Sequence, residues 1–347
     1  MSRLFSVLLP ITRPPVLLPF AIESVLAQSV LDFELFIICD GAPTESVACA
    51  QDFARRDTRV RVFPFRKGQR HGEAHRHTVL ECAAGRYVAQ IADDDLWFPD
   101  HLAELEILLS NADFGNLLHV FLHPDGRVEI LPGDIGLPET RQRMLTEKFN
   151  LFGPTVAGYR LDAYRRLPEG WAPAPNDVWS DLHMWRKFLR MESFVFATRA
   201  VVTGLVFATP QRIDITLEQR KDENRTYFER ILDPRRRNEI IQMAWYSLLN
   251  RELESERQVL ELGAARDNLA AELARTAAAK DAEINRIIQS NGELTAGLAR
   301  ATQLVAAKDE EINRILHSRS WRLTAPMRKS FAIAKRLRGA RSTRDGG

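Results

Sequence analysis

Between Pro234 and Pro326 the chain has no proline, and inside that span one seam runs in unbroken steps of three and four. Its positions are Ala270, Leu273, Ala277, Lys280, Ile284, Ile287, Asn291, Leu294, Leu298, Ala301, Val305, Lys308, Ile312 and Ile315, and eleven of these fourteen are apolar. A mean spacing of 3.5 residues excludes a strand, whose period is two, and is the pattern of a helix that presents one stripe to other helices, so a coiled coil is expected. A single long helix laid on a globular domain is the other way to cover such a stripe. The segment Ala278-Ala-Lys-Asp-Ala-Glu-Ile-Asn-Arg-Ile287 returns as Ala306-Ala-Lys-Asp-Glu-Glu-Ile-Asn-Arg-Ile315, a shift of 28 residues or four heptads that keeps the seam in phase. The polar seam residues Lys280, Asn291 and Lys308 lower stability and help to set register and strand number.

Beyond the seam the character changes to strongly basic. From Arg319 onward there are nine Lys or Arg residues against one acid, Asp345, although the whole chain is only +2. The positive charge is therefore local, and the rest of the chain is net acidic. Trp321, Leu323, Met327, Phe331, Ile333 and Leu337 interleave with these charges. That composition suits a helix lying in a membrane interface over an anionic leaflet better than a phosphate-binding arm, so no nucleic-acid partner is expected. Packing of this tail on its own coil is the alternative.

The first hundred residues have a different rhythm. Phe5 to Leu9, Phe33 to Cys39, Val60 to Phe65 and Tyr87 to Ile91 are short β-rich runs, and helical patterns at Leu17 to Gln28, Thr44 to Arg56 and Glu73 to Ala84 separate them. Such alternation predicts an α/β fold with a mostly parallel central sheet and helices on both faces. Further on, His123-Pro-Asp-Gly126 is a turn between Leu117 to Leu122 and Val128 to Leu131, the mark of a hairpin. A helix is expected at Val178 to Arg190, capped by Asn176 or Asp177, with Val178, Leu182, Trp185 and Leu189 on one face. Strands are expected at Phe194 to Phe196 and Val201 to Phe207.

Composition excludes several classes. Three cysteines without a CxxC pair, in a chain of 347 residues, argue against a disulfide framework or a zinc site and for a reducing cytoplasm. No run of 18 apolar residues occurs, and the N-terminal apolar stretch is a buried strand in character, not a leader. There is no GxGxxG after a strand, no GxxxxGK[ST] and no GxSxG, so dinucleotide, P-loop and serine-hydrolase chemistries lose their main support.

The sharpest chemical feature is Ile91-Ala-Asp-Asp-Asp-Leu-Trp-Phe-Pro99. It sets three carboxylates at the carboxyl end of an expected parallel strand, where open α/β sheets bind their ligands. Adjacent acids repel, and a divalent cation shared with a diphosphate relieves that repulsion with the hard oxygen ligands magnesium or manganese prefers. An acid-rich turn with Asp95 capping the next helix is the structural alternative.

Four segments in order resemble the family 2 glycosyltransferases of the GT-A fold. Ser6-Val-Leu-Leu-Pro-Ile-Thr-Arg13 resembles the opening strand and base-contacting loop, and Phe36-Ile-Ile-Cys-Asp-Gly41 the second-strand loop with its base-binding aspartate. Gly72-Glu-Ala-His-Arg-His77, followed by Ala84-Gly-Arg-Tyr-Val88, resembles the helix with diphosphate-side contacts that leads to the acidic strand end. Asp93-Asp-Asp95 with Pro99 is similar to the metal-binding DxD motif. The resemblance covers roughly residues 4 to 110. It departs from the family at Ala92, where another aspartate is common, at His77 and at Arg13.

The resemblance implies donor contacts at Pro10, Thr12, Arg13, Asp40, Arg76 and Asp93, and a divalent metal on Asp94 with Asp95 as a supporting or alternative ligand. It also implies a catalytic base at the start of the second-half helix, where Ser180-Asp181 stands for the family's acid pair and Asp181 is the candidate; His183 is a weaker candidate for acceptor contact. The implied protein is an inverting transferase that takes a sugar from a nucleoside-diphosphate sugar, UDP-linked in the first instance, to a glycan or lipid-linked acceptor. Ser318-Arg-Ser-Trp-Arg-Leu-Thr-Ala-Pro326 is similar to endings of bacterial surface-polysaccharide glycosyltransferases, which implies a cytoplasmic protein with a peripheral hold on the inner face of the membrane. The expected organisation is a GT-A domain at 1–210, a helical connector at 211–250, a homo-oligomerising coiled coil at 251–317 and a basic amphipathic tail at 318–347. A non-catalytic sugar-nucleotide-binding scaffold or chain-length regulator is the alternative function.

Overall fold

The structure, a computed structural model, describes residues 3–330 and residue 332. These divide into two compact units that part between Glu256 and Arg257.

The first unit begins with β1 (Arg3–Ile11), α1 (Leu18–Leu26), β2 (Phe33–Asp40), α2 (Thr44–Arg56), β3 (Val60–Phe65), α3 (Glu73–Glu81) and β4 (Gly85–Gln90). Every residue of β2 is buried, as a near-continuous apolar run in an inner parallel strand must be. Its inner acid, Glu34, accepts from the Ser6 hydroxyl at 2.6 Å and the Ala84 amide at 2.7 Å. Next come β5 (Leu96–Trp97), α4 (His101–Leu109), β6 (Phe114–Leu122), β7 (Val128–Ile130), α5 (Pro138–Thr146), β8 (Ala157–Arg160) and α6 (Leu161–Arg165). The unit continues through α7 (Ser180–Leu189), β9 (Phe196–Val206) and α8 (Leu217–Leu232) into α9 (Pro234–His317).

Nine strands form one sheet in the order β3-β2-β1-β4-β8-β6-β9-β5, with β7 paired to β6. The first four are parallel; β8 then runs antiparallel to both β4 and β6. The chain lays down β1, β2 and β3 in one direction and returns to place β4 on the other side of β1. The carboxyl ends of β1 and β4 therefore flank the point where the order reverses, the crevice in which such sheets bind ligands. This is the α/β arrangement expected from the sequence.

Two differences from expectation have local causes. The second-half strands are one strand, β9, that bridges the polar stretch at Thr198 and Arg199. Thr198 Oγ1 donates to Asn116 Oδ1 of β6 at 2.7 Å, and Arg199 pairs with Glu104 of α4, so both polar groups are satisfied by neighbouring elements. The start of α7 lies at Ser180, with Trp179 at the cap position and no side-chain cap. Neither Asn176 nor Asp177 caps it, because a turn from the Pro175 carbonyl to the Val178 amide comes first and Asn176 Oδ1 accepts from Arg70 instead.

The apolar stripe of α7 is buried as its spacing requires: Leu182 and Trp185 are inaccessible, and Trp185 stacks obliquely on Phe114 at 5.1 Å. A second apolar cluster joins Leu118, Val120, Leu205 and Phe207 of the sheet region to Ile231, Ile240 and Ala244. It fastens α8 and the first turns of α9 to the strands that follow the switch point. Cys39, Cys49 and Cys82 are free thiols.

In the second unit α9 continues without a break through the whole expected seam. The seam's large apolar residues are exposed, Leu294 at 69% and Leu298 at 70%. The membrane reading of the tail rests largely on Phe331, Ile333 and Leu337 and on the cations from Lys335 onward, which lie outside the described residues. Among the described residues no helix is long and apolar enough to cross a membrane.

Candidate active site

The acids of residues 93–95 follow β4 directly, and the structure draws a basic group from each side onto them. Arg13, just past the end of β1, presents its guanidinium to Asp93, with Nε 2.9 Å from Oδ2, and reaches Asp94 Oδ1 at 2.8 Å. Arg220 of α8 approaches from the other side, its Nη2 3.0 Å from Asp94 Oδ2, which also accepts from Thr209 Oγ1 at 2.9 Å. Burial works against the Arg13 charge, but the bonds and attraction of Asp93 and then Asp94 outweigh it and hold its proton more tightly than usual. Burial raises the Asp93 carboxyl above its usual range, with Arg13 opposing.

Asp95 differs from its neighbours. Its oxygens accept from the Thr155 hydroxyl at 2.5 Å and the Phe207 amide at 3.1 Å. Burial, reinforced by the charge of Asp94, pushes its pKa up to about 8. At neutral pH it therefore tends to keep a proton and ties the strand end to the loops before β8 and after β9.

Asp40, at the end of β2, is 1% exposed. It accepts from the Gly68 amide at 2.6 Å, is paired with the Lys67 ammonium, and has His75 Nε2 at 3.4 Å. The fit around it is tight. Gly72 has φ of +65° at the cap of α3, and a Cβ there would sit 2.5 Å from Asp40 Cγ; only glycine suits both the backbone and the space. Pro10 pairs with Ile38 within the sheet, and Thr12 is exposed beyond the strand.

A second group of polar side chains gathers at the start of α7. Asp181 Oδ2 accepts from Asn150 Nδ2 at 2.8 Å and Oδ1 from its neighbour's amide, Leu182, at 2.8 Å. Burial raises its carboxyl above the ordinary range, and these bonds together with the Arg76 charge only partly offset that. Arg76 is buried, its guanidinium 4.9 Å over the Trp171 ring and 3.2 Å from the His71 carbonyl. Burial lowers its proton affinity against the pull of Glu73, Tyr159, Asp40 and Asp181, so Arg76 is the charge common to the Asp40 and Asp181 regions. Arg76 Nε and Asn150 Oδ1 are buried here without a partner, while Glu73 and Ser180 face each other. Unpartnered buried polar atoms are costly, and two in one place leave hydrogen-bonding capacity for a polar ligand.

Arg70 holds this corner together. Its backbone is left-handed, φ 52°, an uncommon state for a side chain of its size. Its guanidinium bonds Asn176 Oδ1 at 3.1 Å and the carbonyls of Pro175 and Val178 at 3.2 and 3.3 Å, fixing the loop before α3 to the loop before α7. Arg70, Glu73, Asn150, Thr155, Thr209 and Arg220 are thus site residues that sequence reasoning did not single out. Their contacts join positions up to 126 residues apart, and no local spacing signals such a pairing.

The donor set also bears on a metal. Asp93 and Asp94 offer the hard oxygens a magnesium or manganese ion takes when diphosphate and water supply its other ligands. Among the described residues no group of three or more His, Cys, Asp or Glu is arranged to hold an ion by itself. The residues fit a shared two-carboxylate site, with the guanidiniums of Arg13 and Arg220 turned aside from Asp94.

A parallel α/β sheet with an acidic strand end at its switch point defines a broad class of ligand-binding and transferase domains. Residues 6–167, a little under half of the chain, match the family described as glycosyl transferase family 2. The chain is 32% identical over 95 residues to the uncharacterized glycosyltransferase EpsJ of Bacillus subtilis, 27% of each chain. It is 31% identical over 109 residues to an uncharacterized glycosyltransferase of Haemophilus influenzae, 31% of this chain and 43% of that one. The chain thus spans well under two thirds of either relative. Among solved structures, S. aureus TarS 1-349 is 15% identical with a TM-score of 0.42, covering 67% of this chain and 69% of that one. The mannosyltransferase PcManGT from Pyrobaculum calidifontis, solved with GDP-Man and Mn2+, is 16% identical with a TM-score of 0.45, covering 70% and 69%.

Proposed function

We propose that the chain is a metal-dependent, inverting glycosyltransferase that moves a sugar from a nucleoside diphosphate, UDP in the first instance, to a glycan or lipid-linked acceptor in bacterial surface-polysaccharide synthesis. The observation that carries the proposal is the pairing of an acidic strand end at the switch point with a second buried carboxylate, Asp181, linked to the Asp40 region through Arg76.

In this reading Pro10, Thr12, Arg13 and Asp40 line the base and ribose side, and Asp93 takes the ribose. Asp94, with Asp95 as a supporting or alternative ligand, would hold manganese or magnesium, which when bound neutralises the leaving diphosphate. Asp95 is itself held by Thr155 and the Phe207 amide. Arg76 adds a fixed positive charge that needs no reorganisation as negative charge develops. Asp181 accepts the proton of the attacking acceptor hydroxyl, and its raised proton affinity makes it a better base than an exposed aspartate. The exposed seam of α9 associates with other copies, and the basic tail meets an anionic membrane surface.

One observation favours a non-catalytic sugar-nucleotide-binding scaffold: both oxygens of Asp94 already hold guanidiniums. The deciding experiment measures nucleoside diphosphate release from a panel of sugar nucleotides with manganese and an acceptor extract. We expect release with one donor, lost in both Asp94→Asn and Asp181→Asn. Donor binding without release under every acceptor would establish the scaffold, and no binding of any donor would reject both readings.

A further inference from the structure

The seam of α9 is exposed along its length and carries three polar residues, and their positions discriminate among the ways two such helices can pair. From the seam's first residue, Ala270, steps of three and four put Ala277, Ile284, Asn291, Leu298, Val305 and Ile312 at a, and Leu273, Lys280, Ile287, Leu294, Ala301, Lys308 and Ile315 at d. Asp281 and Asp309 then fall at e. We infer that two copies of this chain pair through α9 as a parallel, in-register, two-stranded coil, with Asn291 as its register lock. The inference rests on the reading of the seam as self-associating and goes on to give strand number, direction and alignment.

Charge complementarity argues for the parallel direction. A d side chain in a parallel pair enters a hole whose wall includes the partner's e residue. In register, Lys280 therefore lies beside the partner's Asp281 and Lys308 beside the partner's Asp309. Each lysine layer then holds two cations and two anions, and Asn291 meets its own copy, the arrangement by which a single a-position asparagine selects dimers. An antiparallel pair sets a against d. The alignment that best hides the polar residues then puts Asn291 opposite Lys308. It leaves Leu273 uncovered, and the partner residues around Lys308 are Ile287, Ile288, Ser290 and Leu294, none of them acidic.

The internal repeat explains why a lock is needed. Sliding one helix by four heptads superposes Ala278–Ile287 on Ala306–Ile315, so Ile284, Ile287 and Lys280 meet Ile312, Ile315 and Lys308 as equivalents. That slip takes Asn291 out of contact with its copy and sets it opposite Gly263 in one direction and Arg319 in the other. A buried amide without its partner is costly, so Asn291 selects the full overlap over the shifted one.

The test uses the full chain. Light-scattering mass should give a dimer, and Ala277→Cys, at an a position far from the point about which any favourable antiparallel pair turns, should cross-link it nearly completely under mild oxidation. The unaltered chain, with its three native thiols, sets the background. In Asn291→Leu we expect a higher melting temperature together with species larger than the dimer. A monomer would overturn both self-association and this pairing. A dimer in which the introduced thiols do not join, a trimer, or an Asn291→Leu variant with unchanged mass would overturn the pairing alone. None of these measurements involves a donor sugar, so failure of the transferase proposal leaves them untouched.

Discussion

Asp181 and Gly72 show how single positions set the chemistry. A base must be unprotonated to act, and burial raises the Asp181 carboxyl above the ordinary aspartate range. The acid limb of kcat/KM should therefore fall at a pH above the usual carboxylate value near 3.9. Asp181→Asn should remove that limb and lower turnover about 10²- to 10⁴-fold with donor binding largely kept. A pH profile of diphosphate release checks both, and an acid limb at or below pH 4 would count against Asp181 as the base. Gly72→Ala forces a methyl against Asp40 in a left-handed backbone. We expect donor affinity to drop and stability to fall by about 1–3 kcal/mol, read by nucleotide titration and urea denaturation. At this scale the sequence was informative where acids are contiguous, as at residues 93–95. It was silent where they are completed from afar, since the Thr209, Arg220 and Thr155 contacts depend on how loops return to the sheet.

Elements were legible in proportion to the regularity of their surroundings. The helix at Thr44–Arg56 and the strand at Val60–Phe65 have the limits their patterns predict, because each lies in a βαβ unit where local period and burial agree. Strand β9 was divided in expectation because Thr198 and Arg199 interrupt its apolar run, and only their partners in other elements make them tolerable. Helix α8 matters most to the site, since it delivers Arg220. Its first turn is closed by a reciprocal capping box between Thr216 and Gln219. Thr216→Ala should cost about 1 kcal/mol, measured by urea denaturation. Arg220→Gln removes a competitor for Asp94 and should tighten manganese binding, measured by titration of the ion's paramagnetic resonance signal. Weaker binding would mean that Arg220 organises the acids for the ion.

For the whole molecule, acid sensitivity follows from two buried imidazoles. Burial lowers His101 to about 3 and His119 to about 4. Both stay neutral in the folded chain while the unfolded chain takes up protons below its ordinary pKa of about 6.5. At these two sites the unfolded state then binds more protons, so their contribution to stability is complete above pH 6.5 and declines as the pH falls below it. At pH 5.5 each should cost about 1.4 kcal/mol. Asp95, which keeps its proton in the fold, works in the opposite direction over this interval, so urea midpoints at pH 7.5 and 5.5 are compared between the unaltered chain and His119→Gln: we expect the variant to lose less on acidification, and an equal loss would refute the imidazole argument. The division after Glu256 predicts that a chain ending there keeps the melting temperature of the first unit and its nucleotide affinity. Sheet order sets a different limit on where the molecule can be divided. The family match ends at residue 167, yet β9 lies between β6 and β5 and leads directly into Phe207, whose amide holds Asp95. A graft that exchanged only the matched segment between relatives would sever β6 from its long parallel neighbour and leave a buried carboxyl without its anchor. Any exchangeable module of this protein therefore extends at least through residue 207, forty residues past the end of the family match.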